Sequence, residues 1–228
     1  MYYKELFIFH EKKPVHAIIR NYQPADFDAL IALQSRCFPP PFPESLWWNK
    51  HQLRSHLTYF PEGAICIEVD GVIVSSMTTL LVNHAAHGFS ANWATVTDNG
   101  YIRTHNPNGD FLYVVDISVD PSYRGCGLGK WMMHAMYELV IQQHLRGLIG
   151  GSRMPGYSKF AHTLSPTSYL EKVMIGELYD PVVSFLLKCG RRPTAILENY
   201  LEDEESLHYG VLMEWQNPFI PSNLKEEV

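Results

Sequence analysis

The sequence predicts a mixed α/β domain, and three observations carry the prediction. Apolar residues switch along the chain between strand-like runs and stripes at helical spacing. The pair Asp70-Gly71 separates two β-rich runs, Ala64 to Val69 and Val72 to Val82, as a two-residue hairpin turn does. A glycine-rich stretch, residues 124–130 (RGCGLGK), lies between a buried strand and an amphipathic helix.

The elements follow in order. His16 to Tyr22 reads as a strand. Pro24, Ala25 and Asp26 open a helix whose stripe is Phe27, Leu30, Ile31 and Leu33, and which stops near Cys37 because the prolines at 39, 40, 41 and 43 cannot continue it. A second helix is expected from Ser45 to about Leu57, then the hairpin at 64–82. Between 83 and 110 the pattern dissolves into Asn, His, Gly and Asp around Trp93, which predicts a long loop. Phe111 to Val119 (FLYVVDISV) is a buried strand. Leu128, Trp131, Met132, Ala135, Met136, Leu139 and Val140 then recur at helical spacing, as far as about Gly147. A short strand is expected at Leu148 to Gly150. Ser165-Pro166 marks the start of a helix to about Leu178, and Asp180-Pro181 that of another to Leu187. Two strands, Thr194 to Tyr200 and Leu207 to Trp215, close the chain around the acidic turn Glu202 to Glu205. The order is β-α-α-β-β-β-α-β-(α)-α-β-β.

Composition excludes several classes. The 228 residues fit one domain, 1–228, with residues 1–15 as an N-terminal extension and 152–179 as an insertion before the last helix. The formal charge is −6 and no Lys/Arg-rich run appears, which argues against nucleic acid. Four widely spaced cysteines form no C-x-x-C pair, so zinc-finger and thioredoxin readings fail and a reduced, cytoplasmic protein is expected. No stretch approaches the ~18 apolar residues needed to cross a bilayer, and none matches a signal peptide.

The glycine stretch reads as an anion cradle. The first amides of a helix lack internal partners and sit at the positive end of its dipole, and glycines let a phosphate approach them. Two nucleotide motifs fail here. A Walker A loop puts Gly where Arg124 stands and Ser or Thr where Trp131 stands; a Rossmann fingerprint puts Gly at Lys130.

The run from Val119 to Gly129 (VDPSYRGCGLG) resembles motif A of the GNAT superfamily of N-acetyltransferases. In its [QR]-x-x-G-x-[GA] loop the fixed places are filled by Arg124, Gly127 and Gly129. The element order over residues 16–215 is also similar, and the chain resembles the GNAT modules that some bacterial proteins carry beside a carbon–nitrogen hydrolase domain. The resemblance implies a mostly antiparallel central sheet of about seven strands flanked by helices. It implies acetyl-CoA or another acyl-CoA, its pyrophosphate on Arg124, Gly125, Cys126, Gly127, Leu128, Gly129 and Lys130, and its pantetheine arm along Ile117, Ser118 and Val119. The reaction implied is direct attack of an amine on the thioester. A small-molecule amine is the expected acceptor; Asp116 and the acidic turn 202–205 together suggest a cationic one, and small amine, amino acid, antibiotic, polyamine and protein lysine all stay open.

Candidates for the chemistry follow. Asp116 is a carboxylate inside an otherwise apolar strand, where an unpaired charge is costly, so it is the expected catalytic group facing a cleft. Tyr113 is expected in the core. Relatives carry a Tyr on the last helix in a pattern like F-Y-x-K-x-G-F. Here Phe185, Lys188 and Gly190 fit, but Leu186 takes the Tyr place and Arg191 the final Phe. Tyr179 and Tyr157 are the other phenols considered. Because of Leu186, a non-catalytic acyl-CoA sensor stays as the alternative function. The acidic turn 202–205 is weighed as a solvated tip against a contact to the acceptor. His84, His87 and His105 are weighed as metal ligands and set aside for want of acidic support. Trp47 and Trp48 are expected in packing, Cys126 as a small filler. A homodimer is left open.

Overall fold

The computed structural model describes residues 1–83 and 92–220. Eight strands form one sheet in the order β1-β2-β3-β4-β5-β6-β8-β7. The first five, β1 (Tyr3–His10), β2 (Lys13–Asn21), β3 (Ala64–Val69), β4 (Val72–Val82) and β5 (Phe111–Val119), form an antiparallel meander. The chain then crosses over through the helix at Leu128–Gln142 to β6 (Gly147–Arg153), which runs parallel to β5; β8 (Gly210–Gln216) pairs with β6 and with the edge strand β7 (Arg192–Leu197), both antiparallel.

The helices are α1 (Phe27–Cys37), α2 (Lys50–Tyr59), α3 (Trp93–Thr97), α4 (Leu128–Gln142), α5 (Pro166–Met174) and α6 (Val183–Lys188). Buried Leu30, Leu33 and Leu53 of α1 and α2, and Leu128, Met132, Met133 and Met136 of α4, pack with Ile19, Ile65, Ile67, Met77, Leu80 and Leu112 of the sheet. No helix among the described residues is long and apolar enough to cross a membrane.

The 64–82 hairpin lies where the sequence puts it, with Asp70 (φ 48°) and Gly71 (φ 79°) both left-handed in the turn. Residues 1–15 are a correction: they are no extension but the edge strand β1 and the start of β2. Two features hid this hairpin. Leu6 and Ile8 face the core while Phe7 and Phe9 are exposed, so both faces are apolar and the alternation is masked. Its turn, Glu11-Lys12, is left-handed at both residues without a glycine or asparagine to announce it. The sheet therefore has eight strands, one more than expected. The second helix starts late, at Lys50, where Asn49 accepts from the His51 and Gln52 amides. In the expected long loop, the described part holds α3, with Trp93 buried and its indole donating to the Val115 carbonyl at 3.0 Å. Ser165 caps α5 as expected, but the helix stops at Met174 because Gly176 is left-handed (φ 80°). The 152–179 segment closes on buried Asp180. One of its carboxylate oxygens accepts from the Gly156 amide and the Tyr169 hydroxyl, the other from the Val182 and Val183 amides at the start of α6.

Candidate active site

The site begins where the sheet parts. Strand β5 pairs with β6 over only three positions, Phe111 to Tyr113 against Gly147 to Ile149. Beyond them β6 follows β8 as far as Arg153, while Val114 to Val119 stay with β4. A bulge that skips Val115, between Thr78↔Asp116 and Thr79↔Val114, bends β5 at this point. Ile117, Ser118 and Val119 thus lie on a stretch of strand with no β6 partner, and a cavity of about 130 Å³ occupies the gap. Val114 to Ile117 form one wall and Gly151 to Arg153 the other. Aromatic residues Phe38, Phe42, Trp48, Trp93 and Tyr200 close much of the remainder, and Leu186 and Arg191 contribute from and after α6.

Past the end of β5 the chain turns through Asp120, which accepts from the Ser122 amide and hydroxyl and pairs with Arg36 at 2.7 Å. The glycine stretch follows. Gly125 (φ 85°) and Gly127 (φ 83°) are left-handed, and Gly127 is the N-cap of α4. Trp131 is the first amide that bonds back into the helix, to the Gly127 carbonyl at 3.1 Å, so the amides of Leu128, Gly129 and Lys130 have no acceptor within α4. Arg124, Gly125, Gly127 and Lys130 are exposed, Cys126 and Gly129 half-buried, and Leu128 is in the core. The third glycine serves packing: a Cβ on Gly129 would lie 2.9 Å from the ring of Phe185, so it lets α6 approach α4. None of residues 124–130 lines the cavity, which makes the loop and the cavity two separate parts of the site.

Asp116 sits on the cavity wall, half-buried. One of its oxygens accepts from Gln34 Nε2 at 2.8 Å and from Ser118 Oγ at 2.9 Å, and Gln34 also reaches Ser118 Oγ at 2.9 Å. Burial outweighs these donors and pushes the carboxyl from 3.8 up to about 6; Ser118, Gln34 and the Ile117 amide hold it from going higher. The result is a group that changes its charge near neutral pH at the edge of an apolar cavity. The sequence reading named Asp116 but missed Gln34. The signal was present, since Gln34 falls on the buried face of α1 with Leu30, Leu33 and Cys37.

The other candidates separate. Leu186 is buried on the cavity wall, so the place where the resemblance expects a phenol borders the cavity without a hydroxyl. Tyr179 is exposed, beside Lys188, and Tyr157 is buried with its hydroxyl donating to the Leu164 carbonyl; neither lines the cavity. Tyr113 is in the core as expected, its hydroxyl 3.0 Å from that of Tyr200. The acidic turn is divided: Glu202, Glu204 and Glu205 are exposed, and Asp203 is turned inward. Asp203 is buried in a two-point ion pair with Arg153 (2.7 and 2.8 Å), and Glu205 joins it at 2.8 Å. The Arg153 guanidinium also lies 4.8 Å over Phe42. Trp47 packs, its indole donating to the Phe38 carbonyl, whereas Trp48 walls the cavity. His105 stacks on Phe60 and accepts from the Leu81 amide; His84 and His87 lie outside the described residues. All four cysteines are free thiols.

Comparison with known proteins decides the family. The model of the acetyltransferase (GNAT) family matches residues 27–150, which take in α1 through the glycine loop, Asp116 and β6 up to the cavity. The chain is also 51% identical over 216 residues to "Uncharacterized N-acetyltransferase YkwB" of Bacillus subtilis (strain 168), covering 95% of this chain and 96% of that protein. The chain belongs to the GNAT family. A second relative, "Probable hydrolase YhcX" of the same organism, is 39% identical over 94% of this chain, but the match spans only 41% of that longer protein. Among solved structures, the GphF GNAT-like decarboxylase in complex with isobutyryl-CoA superposes with a TM-score of 0.71 at 25% identity, over 87% of this chain and 98% of that one. The loading GNATL domain of CurA from Lyngbya majuscula gives 0.74 at 18% identity, over 88% and 98%, and shares the fold.

Proposed function

We propose that the protein transfers an acyl group, acetyl in the simplest case, from acyl-CoA to the primary amine of a small molecule. One observation carries the reading: the parting of β5 from β6 sets an unpartnered strand edge beside a cavity whose wall holds a carboxyl that titrates near neutrality. The chain's groups fit the ligand. Amides without helical acceptors at the start of a 15-residue helix, flanked by Arg124 and Lys130, suit a diphosphate. The β6-facing edge of Ile117, Ser118 and Val119 suits an amide-containing arm laid alongside as an extra strand.

The acyl-CoA supplies an activated thioester. The chain supplies the rest. Backbone donors on the β5 edge polarise the carbonyl oxygen as charge builds on it. The carboxylate of Asp116, held by Gln34 and Ser118, attracts the acceptor's ammonium and takes its proton, which frees the lone pair for attack. The new C–N bond forms and the C–S bond breaks. With Leu186 offering no hydroxyl, the protonated Asp116 returns the proton to the departing sulfur, and a group titrating near 6 can do both.

A second reading, decarboxylation of a carboxylated acyl-CoA, is favoured by the likeness to the GphF decarboxylase. The test separates the two: thiol release that depends on added amine supports the transferase, and carbon dioxide release without an amine supports the decarboxylase. Acyl-CoA binding with neither product would leave a sensor.

A further inference from the structure

The arginines beside acidic residues in this fold are answered by them. Arg20 pairs with Asp26 and Glu68, Arg36 with Asp120, and Arg153 with Asp203 and Glu205. Arg191 is different. It follows Gly190 just beyond α6, is only 3% exposed, and lines the cavity. Its Nη2 donates to the carbonyls of Gly150 (3.2 Å) and Met213. Its Nε is buried without a partner, and among the described residues it forms no ion pair and Nη1 makes no hydrogen bond. The ionisable groups nearest it are Tyr113, Tyr137, Tyr200 and Cys189, all of which burial holds in their neutral forms. Burial lowers the guanidinium only to about 10, so the charge persists at neutral pH.

An unanswered buried charge costs several kcal/mol. Asp116 shares the cavity but is engaged by Gln34 and Ser118. The CoA diphosphate is not the counter-ion in the proposed arrangement, because its loop contributes nothing to the cavity wall. What reaches Arg191 must come through about 130 Å³ of mostly apolar space, and a cavity of about 150 Å³ holds a benzene-sized group. A short chain ending in a carboxylate fits both the size and the charge.

We propose that Arg191 anchors a carboxylate carried into the cavity by one of the two substrates. Either the acyl chain bears it, as in a short dicarboxylic acyl-CoA, or the acceptor does, as in an amino acid whose amine meets Asp116. The proposal rests on the acyl-CoA reading above and deepens it to a substrate class.

The experiment has two arms on the full chain. In the first, CoA, acetyl-CoA, malonyl-CoA and succinyl-CoA are titrated by calorimetry. In the second, acetyl-CoA turnover is followed by thiol release with amino acids and with their carboxamides. A charge-assisted hydrogen bond in a dry site predicts at least about tenfold discrimination. If the acyl chain carries the carboxylate, one of the dicarboxylic thioesters binds that much more tightly than acetyl-CoA. If the acceptor carries it, amino acids exceed their carboxamides by that factor in kcat/KM. Arg191→Gln, which keeps a donor for the two carbonyls, then erases the preference and leaves CoA affinity within about twofold. Wild-type protein that binds CoA but discriminates in neither arm overturns the inference alone, and this holds even if the variant fails to fold. Preference retained in Arg191→Gln overturns it too. Wild-type protein that binds no CoA overturns the acyl-CoA reading and the inference with it.

Discussion

The two ends of the site are made of different material. At the glycine loop the parts proposed to meet a ligand are backbone amides without helical acceptors, held by left-handed glycines and a helix start, with side chains adding only two cations at the rim. In the cavity the parts proposed to act are side chains, Asp116, Gln34, Ser118 and Arg191, brought together by tertiary packing. The first kind of site is local in sequence and reads a ligand's charge and shape. The second is assembled across the whole fold, and its chemistry depends on how much water the packing removes. The difference teaches where binding and turnover can be damaged separately.

The sharpest way to break the comparison is at Asp116. Asp116→Asn should lower turnover by roughly 10²–10⁴-fold while calorimetry finds CoA affinity unchanged. Wild-type kcat/KM should rise with pH through about 6 as the carboxyl loses its proton, and the variant should lack that limb. The same residue sets a stability test. Its folded value lies above its free value of 3.8, so ionisation opposes folding: the penalty is absent below pH of about 4, grows up to about 6, and is fully present above. The melting temperature of Asp116→Asn should therefore exceed that of wild type at pH 8, with the gain vanishing in acid.

Gly127→Val is the mirror-image test. A β-branched residue at φ 83° adds about 1–3 kcal/mol of strain and displaces the amides, which predicts up to roughly a hundredfold loss of CoA affinity. The pH midpoint of the remaining turnover should stay near 6; a shifted midpoint would mean that the two ends are not separate. Gln34→Leu should act more gently on the cavity. It removes a donor that holds the Asp116 carboxyl down, so the rising limb of the pH profile should move to higher pH with CoA binding intact. The smallest effect belongs to Glu205→Gln. That carboxylate is exposed and Asp203 still answers Arg153, so chemical unfolding should register less than about 1 kcal/mol.

The same division explains what the sequence disclosed. The β3–β4 hairpin and the glycine loop were legible because each is decided within a few residues: a two-residue turn in one, a strand–glycine–helix junction in the other. Asp116 was legible as a charge out of place in an apolar strand. The β1–β2 hairpin was not, since its turn has no glycine and its outer face is as apolar as its inner one. Gln34 was hidden in an otherwise apolar stripe. The acidic turn looked free because nothing near it in sequence announces Arg153, some 50 residues earlier, as its partner. Arg191 was visible as a departure from a pattern, but that it lacks a counter-charge follows only from the fold that seats it against the carbonyls of Gly150 and Met213.

The three residue pairs that join β5 to β6 give the molecule a further property. They work as the pin of a pair of compasses: the two halves of the sheet open from them, and the opening angle fixes the aperture between. Gly147 stands at this pin, where a Cβ would lie 2.4 Å from the Trp215 carbonyl oxygen and 2.9 Å from the ring of Phe111. A side chain there would wedge the joint itself. The bore of the cavity is thus bounded in part by residues that never line it.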